Sequence, residues 1–122
     1  MSNYNSVSIV IPMRNESNHI KKCLDSLLCQ DLIGSDIEII IVDGDSEDNS
    51  YEIAHETLLN NSNFKILHNP KKITPISLNI GVKASSGDIV IILGAHSYVA
   101  IDFVSKNIHF LNTMDVDCVG GS

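Results

Sequence analysis

The sequence predicts an α/β domain in which a parallel sheet carries helices on both faces. Two observations predict it. Short β-branched apolar runs alternate with segments whose apolar residues recur at helical period. The strand-like runs, such as VSIVIPM at residues 7–13, are apolar throughout rather than alternating, so both faces of the sheet are covered. The 122 residues suffice for a single domain, 1–122, around one modest core.

The first strand, residues 7–13, is followed by Ser17 as a candidate helix cap. Ile20, Cys23, Leu24, Leu27 and Leu28 then form one apolar stripe, which Gly34-Ser35 breaks. Residues 36–42 (DIEIIIV) read as a second buried strand. Asn49 and Glu52 have the spacing of a capping box, with Ile53, Ala54, Thr57 and Leu58 on the inner face of the helix behind it. Asn60-Asn61-Ser62-Asn63 ends that helix, residues 64–68 form a short third strand, and residues 69–72 are loop. Thr74 caps the next helix with Pro75 at its first position. Ile76, Ile80 and Ala84 continue it, and Gly87 is its stop. Residues 88–93 are a fourth strand, and a helix from about Asp102 turns Val104, Ile108 and Leu111 inward. Residues 116–119 begin a fifth strand. The break at Gly120-Gly121-Ser122 reads as a truncation that leaves a sheet edge open to self-association.

Fifteen acidic residues against eight basic ones give a formal charge of −7. That disfavours nonspecific binding to nucleic acid or to an anionic membrane. A phosphate-bearing ligand remains compatible, because a divalent cation can bridge acids to phosphates. Cys23, Cys29 and Cys118 form no CxxC pair and read as buried reduced thiols. No apolar run approaches the roughly 18 residues of a membrane span. Residues 1–6 do not resemble a secretory leader, so the sequons at Asn15 and Asn60 read as chance matches. The expected location is the cytoplasm, at the inner face of the membrane for a longer protein.

Ligands of open α/β sheets bind beyond the carboxyl ends of the strands, so the residues that follow each strand are the candidates. These are Met13-Arg14-Asn15-Glu16, then Asp43-Gly44-Asp45-Ser46-Glu47-Asp48, then Lys71-Lys72 beyond His68, and finally Gly94-Ala95-His96-Ser97. No GxGxxG, no GxxxxGK[ST] and no GxSxG is present, so a dinucleotide fingerprint, a P-loop and a hydrolase elbow are all unsupported. Asp43 ends a buried strand, where its carboxylate would face the cleft and accept from a base N–H or a ribose hydroxyl. For Glu47 and Asp48 the plainer reading is a favourable charge at the next helix's N-terminus.

These segments resemble the N-terminal nucleotide-binding half of GT-A glycosyltransferases of the inverting family 2. VSIVIPMRNE resembles the family's opening strand and Pro-x-x-Asn-Glu turn. IEIIIVDGDSEDNS resembles its Val-Asp-Asp-Gly-Ser-x-Asp segment, with Gly44 where a second Asp is frequent. SLNIGVKASSGDIVIIL resembles the Asn-x-Gly helix that leads to the strand before the DxD motif. The resemblance implies a Rossmann-like, nucleotide-diphospho-sugar transferase fold. It implies transfer of a sugar from a nucleotide diphosphate sugar, a UDP-sugar, to a saccharide or lipid-linked acceptor in polysaccharide biosynthesis. It implies nucleotide binding by Pro12, Arg14, Glu16, Asp43, Asp45, Lys72 and Gly94. Asp43 would meet the uracil or its ribose, and Lys72 the diphosphate as a point charge.

One departure stands out. The DxD position reads Gly94-Ala95-His96, close to the Asp-Ala-His of an exopolysaccharide-assembling subgroup, with Gly94 in place of the Asp. His96 is then the metal ligand, suited to Mn²⁺ better than to Mg²⁺. The missing carboxylate predicts a weakened dependence on divalent metal. The plainer alternatives are a hydrogen-bonded loop histidine for His96 and a solvated loop lysine for Lys72. The resemblance places the catalytic base, with the acceptor-binding half, beyond Ser122. The rival reading is a degenerate, non-catalytic module that binds a nucleotide or a protein partner. A receiver-type signalling domain would use Asp43 as phosphoacceptor, but it has no place for the Pro12-x-x-Asn15-Glu16 turn.

Overall fold

The computed structural model describes residues 6–30, 36–60 and 63–114. Strands and helices alternate strictly: β1 (Ser6–Met13), α1 (Ile20–Leu28), β2 (Asp36–Asp43), α2 (Ser50–Leu58), β3 (Phe64–His68), α3 (Thr74–Ala84), β4 (Ile89–Ile92) and α4 (Phe103–Met114). All strand pairings are parallel, in the order β3-β2-β1-β4. The expected fifth strand at 116–119, Cys118, the break at Gly34-Ser35 and the inward side chain of Leu111 lie outside the described residues.

Side-chain alternation along β1 and β2 divides the core in two. Val7, Ile9, Ile11 and Met13 face one side with Ile39 and Ile41. There they meet α1 through Ile20, Cys23, Leu24 and Leu27, α2 through Ala54 and Leu58, and α4 through Val104 and Ile108. Val10, Ile40 and Val42 face the other side, where α3 packs Ile80 and Ala84 against them. The helices therefore lie on both faces, three against one. β1, β2 and β3 step outward in one direction, and α3 then carries the chain back so that β4 pairs with β1. A right-handed crossover in the reverse direction must use the opposite face of the sheet.

α3 meets the sheet at Gly81, where an added Cβ would overlap Val10 Cγ1 and lie 3.3 Å from Val42 Cγ2. A mid-helix glycine costs about 1 kcal/mol relative to alanine. Its presence here answers to that close approach. Gly87 has a related reason. α3 ends at Ala84 with Ser85 at its C-cap, so Gly87 is not the helix stop expected of it. A Cβ at Gly87 would lie 2.7 Å from the Ser8 backbone nitrogen, and no side chain fits between these two backbones.

The expected caps differ from the structure. Ser17 does not cap α1, whose N-cap position is His19 and carries no side-chain bond. The Ser17 N–H instead donates to Asp48 Oδ2 at 3.2 Å. Asn49 occupies the N-cap position of α2 but makes no capping bond, so the capping box is not formed. Asp48 Oδ1 accepts from the Ser50 N–H in its stead, at 2.9 Å. Ile73 rather than Thr74 takes the N-cap of α3, a shift of one residue. Leu28, at the end of its apolar stripe, is exposed. Cys23 is buried as expected, whereas Cys29 is exposed.

The sheet also buries a carboxylate that the sequence reading passed over as part of a strand. Glu38 of β2 is 7% exposed. Its Oε1 accepts from Ser8 Oγ at 2.8 Å and from the Ser86 N–H at 3.1 Å, and Lys65 Nζ stands 3.5 Å from Oε2. Burial alone would raise its pKa. The Ser8 and Ser86 donors and the Lys65 charge outweigh burial and hold the carboxyl below its usual value. The cluster ties β1, β2, β3 and the α3–β4 turn together at the amino end of the sheet.

Two stability effects follow from these contacts. Gly81→Ala should destabilise the fold by about 1–3 kcal/mol through overpacking, despite the better helix propensity of alanine. A urea midpoint at or above wild type would show that α3 does not depend on that approach. Glu38→Ala strands the Ser8 and Ser86 donors and should cost about 1.5–3 kcal/mol at neutral pH. Because the folded pKa of Glu38 is depressed, its contribution is present above the unfolded pKa and is lost as pH falls through the folded value. The difference between wild type and Glu38→Ala should therefore shrink in acid. A difference that stayed constant from neutral pH down to acid would remove Glu38 from the acid dependence.

Candidate functional site

Parallel pairing brings the loops after β1, β2, β3 and β4 to the same edge of the sheet. The chain reverses direction at β1, and the crevice opens there, between the loops after β1 and β4. A cleft of about 280 Å³ lies at this point. Of the residues named from the sequence, Pro12, Arg14, Glu16, Lys72, Gly94 and His96 line it. Thr74 and Ser77, from the start of α3, also line it and had not been named as site residues. Asp43 and Asp45 are not among the lining residues.

The β1–α1 and β2–α2 loops are joined by side chain to backbone bonds. The Asn15 N–H donates to Ser46 Oγ at 2.9 Å, and Asn15 Oδ1 accepts from the Glu47 N–H at 2.7 Å. The Glu16 N–H donates to Ser50 Oγ at 2.7 Å. Asp48 completes the set with the bonds from Ser17 and Ser50 described above. Loss of water contact works to raise the Asp48 pKa, but the Ser50 and Ser17 donors prevail and hold it down at about 2. Asp48 thus organises these loops, close to the plain helix-terminus role read from the sequence.

Asp43, at the end of β2, is 5% exposed. Its Oδ1 accepts from Ser46 Oγ at 2.6 Å and from the Ser46 N–H at 3.2 Å. Asp45 has a left-handed backbone, φ 61°, and its Oδ2 lies 3.7 Å from Lys72 Nζ. Arg14 Nε donates to the Gly44 carbonyl at 3.1 Å, which ties the arginine to the base of the β2–α2 loop. A Cβ at Gly44 would press to 3.2 Å of the Lys72 carbonyl oxygen, so the packing here favours glycine over a second Asp.

On the other wall, His96 Nδ1 lies 3.3 Å from Glu16 Oε2. This places the two on facing loops, the histidine exposed and the glutamate mostly covered. One imidazole and one carboxylate are the ligand types Mn²⁺ accepts. Among the described residues, however, no group of three His, Cys, Asp or Glu could hold a metal ion. The described residues bring two such donors together here, Glu16 and His96. A Cβ at Gly94 would meet Ser97 Oγ at 3.4 Å and His96 Cε1 at 3.5 Å, ordinary contact distances that leave room for a side chain beside His96. Beneath this turn, burial and the Glu16 charge push the Cys23 thiol up to about 12. It stays protonated and is no nucleophile.

Asn69 was read only as loop, yet it is fully buried behind the cleft wall and bonded to Ser77 Oγ at 2.9 Å. The Asn69-Pro70 dipeptide, a turn signal, was the one available clue.

Comparison with known proteins agrees with this architecture. The chain is 40% identical over 106 residues to a dolichyl N-acetyl-alpha-D-glucosaminyl phosphate 3-beta-D-2,3-diacetamido-2,3-dideoxy-beta-D-glucuronosyltransferase of Methanococcus voltae, covering 85% of this chain and 33% of that protein. It is 32% identical over 114 residues to the uncharacterized glycosyltransferase EpsJ of Bacillus subtilis (strain 168), covering 93% and 33%. The chain thus spans about a third of the length of these relatives. The fold is similar to that of S. aureus TarS in complex with UDP-GlcNAc, with a TM-score of 0.81 at 23% identity over 88% of this chain and 31% of that one. It is also similar to the mannosyltransferase PcManGT from Pyrobaculum calidifontis in complex with GDP-Man and Mn²⁺, with a TM-score of 0.78 at 22% identity over 86% and 32%. The profile of Glycosyl transferase family 2 matches residues 8–122. With a parallel Rossmann-like sheet, its crevice at β1 and that match along nearly its whole length, the chain belongs to glycosyl transferase family 2, with the GT-A fold.

Proposed function

We propose that residues 1–122 form the nucleotide-sugar-binding domain of a family 2 glycosyltransferase, and that the cleft at the end of β1 receives the nucleotide diphosphate of the donor. The observation that carries this reading is the meeting of Arg14 and Lys72 in a crevice at the topological switch point, in a chain that is otherwise strongly acidic. Pro12 and Arg14 flank the base, Asp43 and Asp45 serve the base and ribose side, and Lys72 meets the diphosphate. The donor is a UDP-sugar, a choice supported by the likeness to UDP-GlcNAc-bound TarS. GDP is the competing nucleotide, given the likeness to GDP-Man-bound PcManGT. The acceptor is a saccharide or a lipid-linked sugar. The name of the Methanococcus voltae relative, which specifies a dolichyl-linked sugar phosphate, favours the lipid-linked form. No described helix is long and apolar enough to cross a membrane. The proposed site of action is the cytoplasmic face, on the acceptor's polar end.

Inverting transfer needs a carboxylate to deprotonate the acceptor hydroxyl. We assign that role to none of the acids placed above, and this domain's part is to bind and orient the donor. Gly94 favours a second reading, a module that binds nucleotide without supporting metal-assisted transfer. It supplies no carboxylate where the family's Asp stands.

Calorimetric titration tests the site. UDP should bind more tightly than GDP, and Asp43→Ala should weaken UDP binding by about 1.5–3 kcal/mol. Equal affinities of wild type and variant would remove Asp43 from the nucleotide. Metal makes the second measurement. Mn²⁺ should change UDP affinity little in wild type and clearly more in Gly94→Asp, whose Cβ meets His96 and Ser97 at ordinary contact distances. An unchanged metal response in Gly94→Asp would take this turn out of the DxD role. Strong Mn²⁺ dependence in wild type would show that Glu16 and His96 suffice.

A further inference from the structure

We propose that Asn69 is a positioning residue for the donor diphosphate, setting Lys72 in place on the wall of the cleft. The inference rests on the nucleotide reading of that cleft. Asn69 has no solvent exposure. Its polar groups all have partners, and all but one of these partners lie in the segment that walls the cleft. The exception is its own N–H, which donates to the Asp43 carbonyl at 2.8 Å and anchors the residue to the end of β2. Its carbonyl accepts from the Lys72 N–H at 3.2 Å. Its Oδ1 accepts from the Lys71 N–H at 3.0 Å. Its Nδ2 donates to the Ile73 carbonyl at 3.1 Å and to Ser77 Oγ at 2.9 Å.

Residues 71, 72 and 73 are therefore each tied to one buried asparagine. Lys72, in the middle, has φ 69°. A lysine in the left-handed region persists only where its surroundings over-determine it. Asn69 supplies that determination from both sides. The strained backbone turns the Lys72 side chain to the cleft lining, with its Nζ 3.7 Å from Asp45 Oδ2. A lysine held this way meets a diphosphate without first ordering a loop, which lowers the entropic cost of binding. A purely structural asparagine would support both halves of the nucleotide equally. A positioning one acts through Lys72, on the phosphates alone.

The test compares uridine with UDP, by NMR-monitored titration of wild type, Asn69→Ala, Lys72→Gln and the double variant. Both single variants should lose about tenfold in UDP affinity and less than about threefold in uridine affinity. The double variant should lose no more than either single one. Equal losses for uridine and UDP, or losses that add in the double variant, overturn the proposal. If Asn69→Ala does not fold, Ser77→Ala carries the test, because it removes one of the two Nδ2 acceptors. A UDP-selective loss of about threefold supports the proposal, and none overturns it. A wild-type chain that binds neither ligand defeats the nucleotide reading instead. Asn69 is then judged on the backbone: the strong intraresidue amide to α-proton cross-peak of left-handed Lys72 should vanish in the Asn69 or Ser77 variant, and its persistence overturns the positioning role.

Discussion

The structure depends on how closely α3 can lie against the centre of the sheet. Once α1 and α2 have taken one face, a right-handed return past β1 is open only across the other. That face offers Val10 and Val42 at the point of contact, and Gly81 is the residue that lets the helix backbone come down onto them. The consequences run outward from this contact. β4 pairs with β1 rather than adding beyond β3, which makes β1 an inner strand. The loop after β1 leads to one face, while β4 returns from the other. The loops after β1 and β4 therefore stand side by side at the carboxyl edge, where residues of both line the cleft.

A crevice alone would be lined by loops free to collapse into it. Here the loops after β1, β2 and β3 each contain one non-glycine residue in the left-handed region, Asn15, Asp45 and Lys72. Each such residue costs on the order of 1–2 kcal/mol. They persist because short polar side chains fix the backbone around them. Ser46 and Glu47 hold Asn15, Asn69 holds Lys72, and Asp43 holds Ser46 directly after Asp45. The strain and the hydrogen bonds are two sides of one arrangement, and it leaves the cleft wall formed before any ligand arrives.

The order of strands and helices was legible because apolar periodicity records burial directly. The position of the site was legible because parallel pairing sends every strand-to-helix loop to one edge. The helix ends were not. Ser17, Asn49 and Gly87 each have a local meaning as caps or stops, and another contact overrode it: Asp48 from 31 residues away for Ser17, the neighbouring acid Asp48 in place of Asn49 at the Ser50 N–H, and the β1 backbone for Gly87. Glu38 was hidden for the same reason. Its partners Ser8 and Ser86 lie 30 and 48 residues away, and nothing within DIEIIIV announces them. Within the site, spacing identified which acids reach the carboxyl edge. It had no means of showing which of these acids also pair with donors of the chain itself, as Asp43 does with Ser46.

That distinction decides whether an acidic chain can hold an anion at all. Four carboxylates crowd the loop of residues 43–48, and left unpaired they would repel a diphosphate a few ångströms away. The chain spends three of them on its own donors. Asp43 accepts from Ser46, Asp48 accepts from Ser50 and Ser17, and Asp45 stands opposite Lys72. The lysine is thereby placed between an acid at 3.7 Å and the cleft it lines. An exposed pair of that length holds its partner weakly. Lys72 therefore offsets one carboxylate of the acidic loop behind it and is still available to an anion in front. The same serines that stitch the loops together turn their donors onto the carboxylates beside the cleft, so one set of hydrogen bonds fixes both the loops and the acids they carry.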